Sequence, residues 1–131
     1  MRPSAPDHKI IYVRFHKRVD ALLDEFSERT GMKRATAAVW IERRFLERML
    51  SDGRMEDEID EETLGFTGIE IPYFLLPGRT TAGSMLGRAM RLTVDKRLDR
   101  SLELIAMKHD MSTRDFRTAI LMQYFEEIGM I

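Results

Sequence analysis

The 131-residue sequence contains no cysteine, which excludes a disulfide scaffold, a thiolate zinc site and cysteine-based catalysis. It also lacks any apolar run near the roughly 18 residues that a membrane-spanning helix needs, so we expect no membrane partner. The opening stretch, MRPSAPDHK, has no apolar segment of the kind found in signal peptides, which favours a cytoplasmic protein. The 44% hydrophobic and 33% charged residues are typical of a soluble, helix-leaning globular protein.

Signatures of catalysis and of metal binding are missing as well. The three histidines, His8, His16 and His109, lack the spacing of metal ligands. The sequence contains neither a glycine-rich phosphate loop nor a nucleophile elbow. We therefore expect no enzyme activity, no catalytic residue, no metal and no cofactor.

The net charge of −1 conceals an uneven distribution of charge. Residues 9–54 carry 11 Lys and Arg against 7 Asp and Glu, and residues 88–131 carry 8 against 7. Residues 55–87 carry a single Arg against 7 acidic residues, with the run EDEIDEE among them. The overall charge therefore does not argue against a nucleic-acid partner, because two neutral-to-basic segments flank an acidic connector.

The sequence repeats itself at a spacing of 79 residues, and no gap is needed from Ile11 and Met90 to Met49 and Ile128. The clearest part is KRVDALLDEF, which returns as KRLDRSLELI. Identity is low, but the apolar positions agree almost throughout. The identical pairs include Lys17/Lys96, Arg18/Arg97, Asp20/Asp99, Leu23/Leu102, Met32/Met111, Ile41/Ile120 and Glu47/Glu126.

Each copy of the repeat predicts a strand followed by two helices. The first run alternates apolar and polar residues with period two, as in a half-buried strand, and helical spacing follows. Asp95 is a suitable N-cap for the first helix of copy two, and Gly31 suits the left-handed residue that ends the first helix of copy one. Asp110 holds the place of Gly31 in copy two. The run STRD, from Ser112 to Asp115, resembles a capping box that opens the second helix.

Each copy has an alternating strand that leads directly into a helix, and a short turn (TGMKR or HDMST) before a second helix. This pattern resembles the ribbon-helix-helix superfamily of Arc/MetJ-type DNA-binding proteins. The resemblance covers residues 9–50 and 88–129. It implies that the two strands pair antiparallel and that the resulting ribbon enters the major groove of double-stranded DNA. Because one chain carries both copies, the implied fold is mainly α with a short two-stranded ribbon, an intramolecular pseudo-dimer. Tandem ribbon-helix-helix proteins of conjugation systems, of the TraY type, have this organisation.

The predicted domains are copy one at residues 9–50, a connector at residues 51–87 and copy two at residues 88–131. The connector contains the apolar run IEIPYFLL, which is predicted to pack across the helices or to form a protein interface. The two copies are expected to pair into one compact domain.

Strand parity predicts which residues of the ribbon face DNA. If alternate residues of each strand face the core, the outward-facing set is Ile10, Tyr12, Arg14, Ala89, Arg91 and Thr93. Each arginine can bind the O6 and N7 atoms of a guanine, for about 1–3 kcal/mol of discrimination between bases. The hydroxyl groups suit hydrogen bonds with bases, and the aliphatic side chains suit a thymine methyl group. Because the two strands differ, the site should be asymmetric; the alternative is a solvated ribbon face.

The start of the second helix in each copy is predicted to hold DNA phosphates, because exposed N–H groups and the helix dipole attract anions there. The residues at these two places are Lys33, Arg34, Ser112, Thr113 and Arg114. The alternative is that both helix starts are simply solvated.

The sequence thus predicts a sequence-specific DNA-binding protein. It is expected to be a monomer whose two copies form the pseudo-dimer, and such monomers could associate further along DNA. Its role could be that of an accessory factor for plasmid or mobile-element transfer, or that of a repressor or antitoxin-like regulator, with other DNA-processing or regulatory proteins as partners. The alternative class is a protein-interaction module that keeps the fold without binding DNA.

Overall fold

The structure, a computed structural model, describes residues 7–49 and 86–131. Copy one forms strand β1 (His8–Val13) and helices α1 (Lys17–Thr30) and α2 (Arg34–Met49). Copy two forms strand β2 (Met90–Asp95) and helices α3 (Lys96–Lys108) and α4 (Thr113–Glu127). The described part is therefore mainly helical with a two-stranded antiparallel sheet, which confirms the predicted order of strand, helix and helix. The runs EDEIDEE and IEIPYFLL lie outside the described residues.

The two strands pair antiparallel in a register that is symmetric with respect to the repeat. Tyr12 lies opposite Arg91, and these two residues are equivalent positions because they are 79 residues apart. On one side of this central pair Ile11 lies opposite Leu92, and on the other Val13 lies opposite Met90. Met90 is the equivalent of Ile11 in the repeat, and Leu92 is the equivalent of Val13, so the two flanking pairs are equivalent to each other. The pairing of the two strands is therefore symmetric about the pair Tyr12–Arg91.

The ribbon, which we define as β1 and β2 with the adjoining Arg14 and Ala89, has one buried and one exposed face. The buried residues are Val13, Met90, Leu92 and Val94, and they are continued by Phe15 just after β1. On the opposite face Tyr12 is 71% exposed and Ile10 is 44% exposed. The predicted period-two alternation is confirmed, and it follows from the perpendicular projection of side chains on a pleated strand.

The helices begin and end at the capping side chains and at the residues with left-handed backbone conformation that the sequence predicted. The Asp95 carboxylate accepts a hydrogen bond of 2.7 Å from the second backbone N–H of α3. Gly31 ends α1 with φ of 78°, and Asp110 adopts φ of 55° after α3. Ser112 accepts a hydrogen bond of 3.1 Å from the N–H of Asp115 at the start of α4. These contacts satisfy backbone groups that a helix end leaves without partners.

Both copies contribute to one hydrophobic core. The Phe26 ring of α1 lies 5.8 Å from Tyr124 and 5.9 Å from Phe125, both on α4. Phe45 of α2 meets Phe116 of α4 edge to face at 5.9 Å. Ile128, the last residue of the gap-free repeat, is 44% exposed and lies just after α4, which ends at Glu127.

A buried charged cluster also joins the copies. Arg117 of α4 is 1% exposed and pairs with Glu42 of α2 at 2.5 Å and with Asp99 of α3. The Lys9 ammonium lies 2.5 Å from the other oxygen of Asp99. We call these four residues the Arg117 cluster. It draws two residues from each copy, so it requires copy one to face copy two.

We predict that Arg117→Met lowers the free energy of unfolding by about 3–5 kcal/mol, because it leaves the Glu42 carboxylate buried without its cation. Urea unfolding of both proteins measures this difference. The matched control is Arg48→Met, which removes an exposed ion pair with Glu127 at 2.7 Å and should change stability by less than about 1 kcal/mol. Equal effects of the two substitutions would contradict a structural role for the cluster.

Burial raises the pKa of the Glu42 carboxyl from 4.5 to about 7, and the charge of Arg117 opposes this rise. The folded state therefore binds more protons than the unfolded chain between these two values. The contribution of Glu42 to stability is present below pH 4.5 and is lost as the pH rises towards 7.

We predict that Glu42→Gln removes this pH dependence, because glutamine does not titrate. The stability of the variant relative to the wild type should increase on the order of 2–3 kcal/mol between pH 4.5 and 8. Urea unfolding of both proteins at several pH values measures the change, and the comparison cancels groups that both proteins share. A difference that stays constant over this range would contradict the raised pKa.

Candidate nucleic-acid interface

All six residues of the predicted reading surface are exposed and share the outer face of the ribbon. They are Ile10, Tyr12, Arg14, Ala89, Arg91 and Thr93. The strands are slightly shorter than the surface, since Arg14 follows the last residue of β1 and Ala89 precedes the first residue of β2. The structure therefore brings together the whole predicted set, as the alternation of the two strands requires.

The two arginines of the surface are held differently. The Nε atom of Arg14 donates a hydrogen bond of 2.9 Å to the carbonyl oxygen of Gly87, which fixes the base of the guanidinium beside the end of the ribbon. Arg91 lies at the centre of the ribbon opposite Tyr12 and has no ion-pair partner within residues 7–49 and 86–131. One guanidinium is thus oriented by the backbone and the other is available to a ligand.

An open groove flanks each strand of the ribbon. The β2 groove, of about 360 Å³, lies between β2 and the first half of α2, and Arg43, Arg91 and Trp40 are among its lining residues. The β1 groove, of about 330 Å³, lies between β1 and the start of α4. Its walls include Arg14 and Arg114, and also the carboxylates of Asp99 and Glu103 from α3. Each groove thus places a strand of one copy beside the second helix of the other copy, with basic side chains in both.

The start of α2 carries one exposed cation and one that is already paired. Lys33 is exposed, whereas Arg34 is half-buried between two carboxylates of α1. Its guanidinium lies 2.9 Å from Asp24 and 3.3 Å from Asp20. Arg34 therefore holds α2 against α1, and Lys33 is the predicted phosphate-binding residue of copy one that remains accessible.

Polar groups at the start of α4 already have partners within the protein. The Ser112 hydroxyl caps the helix through Asp115, whose carboxylate lies 3.3 Å from the guanidinium of Arg114. Thr113 and Arg114 are half-buried. A phosphate would meet a capped helix end and a nearby carboxylate here, so the two predicted phosphate sites differ in strength.

The sequence reasoning overlooked Arg43, which lines the β2 groove with Arg91. Its position was detectable, because it follows Thr36 and Val39 at helical spacing and these residues line the same groove. It also overlooked Arg44, whose guanidinium lies 5.0 Å from the centre of the Trp40 ring. This cation–π contact holds Trp40, which is half-buried against Phe26 and Tyr124.

No family model, curated protein or solved structure matches this sequence. Within the described ranges, no group of three or more His, Asp or Glu residues could hold a metal ion. None of the helices in the described part of the chain is long and apolar enough to cross a membrane. The functional argument therefore rests on the geometry and charge of the ribbon and its grooves.

We predict that Ser112→Ala lowers the free energy of unfolding by about 1 kcal/mol, because α4 loses its N-terminal cap. Urea unfolding measures this loss. Lys33→Ala, at the corresponding end of α2, should change stability by less than about 0.5 kcal/mol, because the side chain is exposed. A larger effect of the lysine substitution would show that Lys33 has a structural role.

Proposed function

We propose that this chain is a single-chain tandem ribbon-helix-helix protein that binds double-stranded DNA sequence-specifically by inserting its ribbon into the major groove. The observation that carries the proposal is the two-faced ribbon. Its inner face is buried in a core shared by both copies, while its outer face presents Arg14, Arg91, Tyr12 and Thr93 to solvent.

The dimensions and chemistry of the ribbon suit the major groove. Two paired strands lie about 4.8 Å apart, and the major groove is about 12 Å wide, which leaves room for the outward side chains. Guanidinium and hydroxyl groups match the acceptors and donors that distinguish base pairs there. A minor groove about 6 Å wide would not admit the same ribbon.

Cations around the ribbon favour contacts with the phosphate backbone. Lys17 and Arg18 are exposed in the first turn of α1, and Lys96 and Arg97 are exposed at the equivalent place in α3. Lys33 adds an exposed charge at the start of α2. These residues carry no base information, and their role in the proposal is to fix the register of the ribbon and make binding salt-dependent.

The pairing of copy one (9–50) with copy two (88–131) supports the pseudo-dimer. The ribbon register is symmetric about Tyr12 and Arg91, and the Arg117 cluster takes two residues from each copy. In the proposal the connector of residues 51–87 serves to return the chain to the opposite side of the ribbon. Such a monomer would present a complete reading surface without a second chain.

Two biological uses are compatible with this activity. One is that of an accessory factor at a plasmid or mobile-element transfer origin, in contact with other DNA-processing proteins. The other is that of a transcriptional repressor or antitoxin-like regulator. Both uses require the same recognition step, and both allow further association of pseudo-dimers along DNA.

A protein-interaction module that keeps the fold without binding DNA is the second candidate. The outer face of the ribbon favours it in one respect, because Tyr12 and Ile10 are large exposed side chains of the kind enriched in protein interfaces. Replacing the arginines of the same face distinguishes the two functions.

We predict that Arg14→Ala combined with Arg91→Ala lowers affinity for the selected DNA by at least about 30-fold, because each of the two bidentate contacts contributes about 1–3 kcal/mol. Selection from a random duplex library followed by fluorescence anisotropy at two salt concentrations measures this. The wild-type affinity should fall steeply as salt rises.

The matched control for this experiment is Arg29→Ala, which also removes a positive charge. Arg29 lies in the last turn of α1, roughly 18 Å along the helix from the end nearest the ribbon, and pairs with Glu25. This variant should bind DNA nearly as the wild type does. Absence of any enriched duplex at low salt would instead favour the interaction module.

A further inference from the structure

We propose that the ribbon binds its DNA site in one orientation, with guanine at the centre and on the Arg14 side and thymine on the Ile10 side. This inference rests on the proposed function and adds the base composition and direction of the site. It follows from the register of the strands, which fixes where each outward side chain lies along the ribbon.

The register defines three levels along the outer face. Tyr12 and Arg91 form the central level, and Ile10 lies opposite Thr93 at one end. Continuing the same register by one residue places Arg14 opposite Ala89 at the other end. Two strand residues span about 6.8 Å, which equals about two base-pair steps of DNA. The surface therefore covers about five base pairs, with the two arginines about two base pairs apart.

Charge is distributed unevenly over these levels. The Arg14 end and the centre each carry one guanidinium, while the Ile10 end carries none. Beyond the Ile10 end the next outward pair is His8 opposite Asp95, whose carboxylate caps α3. A carboxylate repels the acceptor atoms of guanine. Among the outward residues of the ribbon itself, both guanidinium groups thus lie at the centre and at the Arg14 end, whereas the cations nearest the Ile10 end, Lys96 and Arg97, lie beyond the ribbon at the start of α3.

Each end also has side chains with a preferred base. The hydrogen bond from Arg14 Nε to the Gly87 carbonyl restrains the guanidinium without using its two terminal nitrogens. This restraint reduces the loss of side-chain freedom on binding. At the other end, Ile10 and the methyl group of Thr93 offer an apolar surface that matches the methyl group of thymine.

The first test is selection from a random duplex library, with reads aligned without imposing symmetry. We expect guanine at two positions about two base pairs apart and thymine on the far side of the central one. Exchanging the base pair under Arg14 for A·T should lower affinity about 10- to 100-fold. A palindromic consensus, or guanine in equal amounts at both ends, would overturn the inference and leave DNA binding standing.

The second test is the exchange variant Ile10→Arg with Arg14→Ile, which moves one guanidinium along the same strand. In selection with this variant, the outer guanine should move by about four base pairs to the opposite side of the centre. The matched control is Ala89→Thr with Thr93→Ala in β2, which moves no guanidinium and should leave both guanine positions unchanged. Circular dichroism and thermal unfolding check that both variants fold.

The outcomes separate this inference from the proposed function. If the wild type enriches no duplex at any salt concentration, the proposed function fails. If it enriches an asymmetric site but the exchange variant selects the same guanine positions, the protein binds DNA and the assignment of Arg14 to one end is wrong.

Discussion

The pairing of β1 with β2 is the interaction on which the rest of the structure depends. A single strand followed by two helices cannot cover its own apolar residues, and an unpaired strand exposes a row of backbone N–H and C=O groups. Pairing satisfies the groups along the edge that the two strands share, and it forms one apolar face from Val13, Phe15, Leu92 and Val94, which lies in the core shared by both copies. Strand pairing also forms the outer face of the ribbon, so the candidate DNA-binding surface is formed when the chain folds.

The strands alone would allow copy one to pair with copy one of another chain, since the apolar positions of the repeats are alike. The Arg117 cluster opposes this. Copy one has Ala38 where copy two has Arg117, and copy two has Leu121 where copy one has Glu42. Pairing of copy one with copy one would leave the Glu42 carboxylate without an arginine, which destabilises a core by several kcal/mol, and pairing of copy two with copy two would leave Arg117 with Asp99 as its remaining partner in the cluster. The cluster thus favours the mixed pair by penalising the alternatives.

Much of the fold was predictable because it follows from periodicity. Alternation gave both strands and their outward residues, and Asp95, Gly31 and Ser112 marked helix boundaries by local chemistry that does not depend on the rest of the fold. The Arg117 cluster was not predictable, because comparison of the repeats emphasises positions that agree, whereas Glu42 and Arg117 are positions where they differ. The pairing of Arg34 with Asp20 and Asp24 was missed for a related reason. It depends on how α2 packs against α1, and no sequence spacing encodes that angle.

Because the two copies are joined in one chain, the residues of the two strands can differ from each other on each face of the ribbon. In a symmetric dimer one substitution alters both strands, so the outer face must read a palindrome. In one chain the strands vary independently, and here the inner pairs of equivalent residues are all apolar, as in Val13 and Leu92, while outer pairs such as Tyr12 and Arg91 differ in size and charge. Packing constrains the inner face, because both strands contribute to the same core. The outer face carries no such constraint, so its two strands can diverge, and any ligand of this face would meet two different sets of side chains.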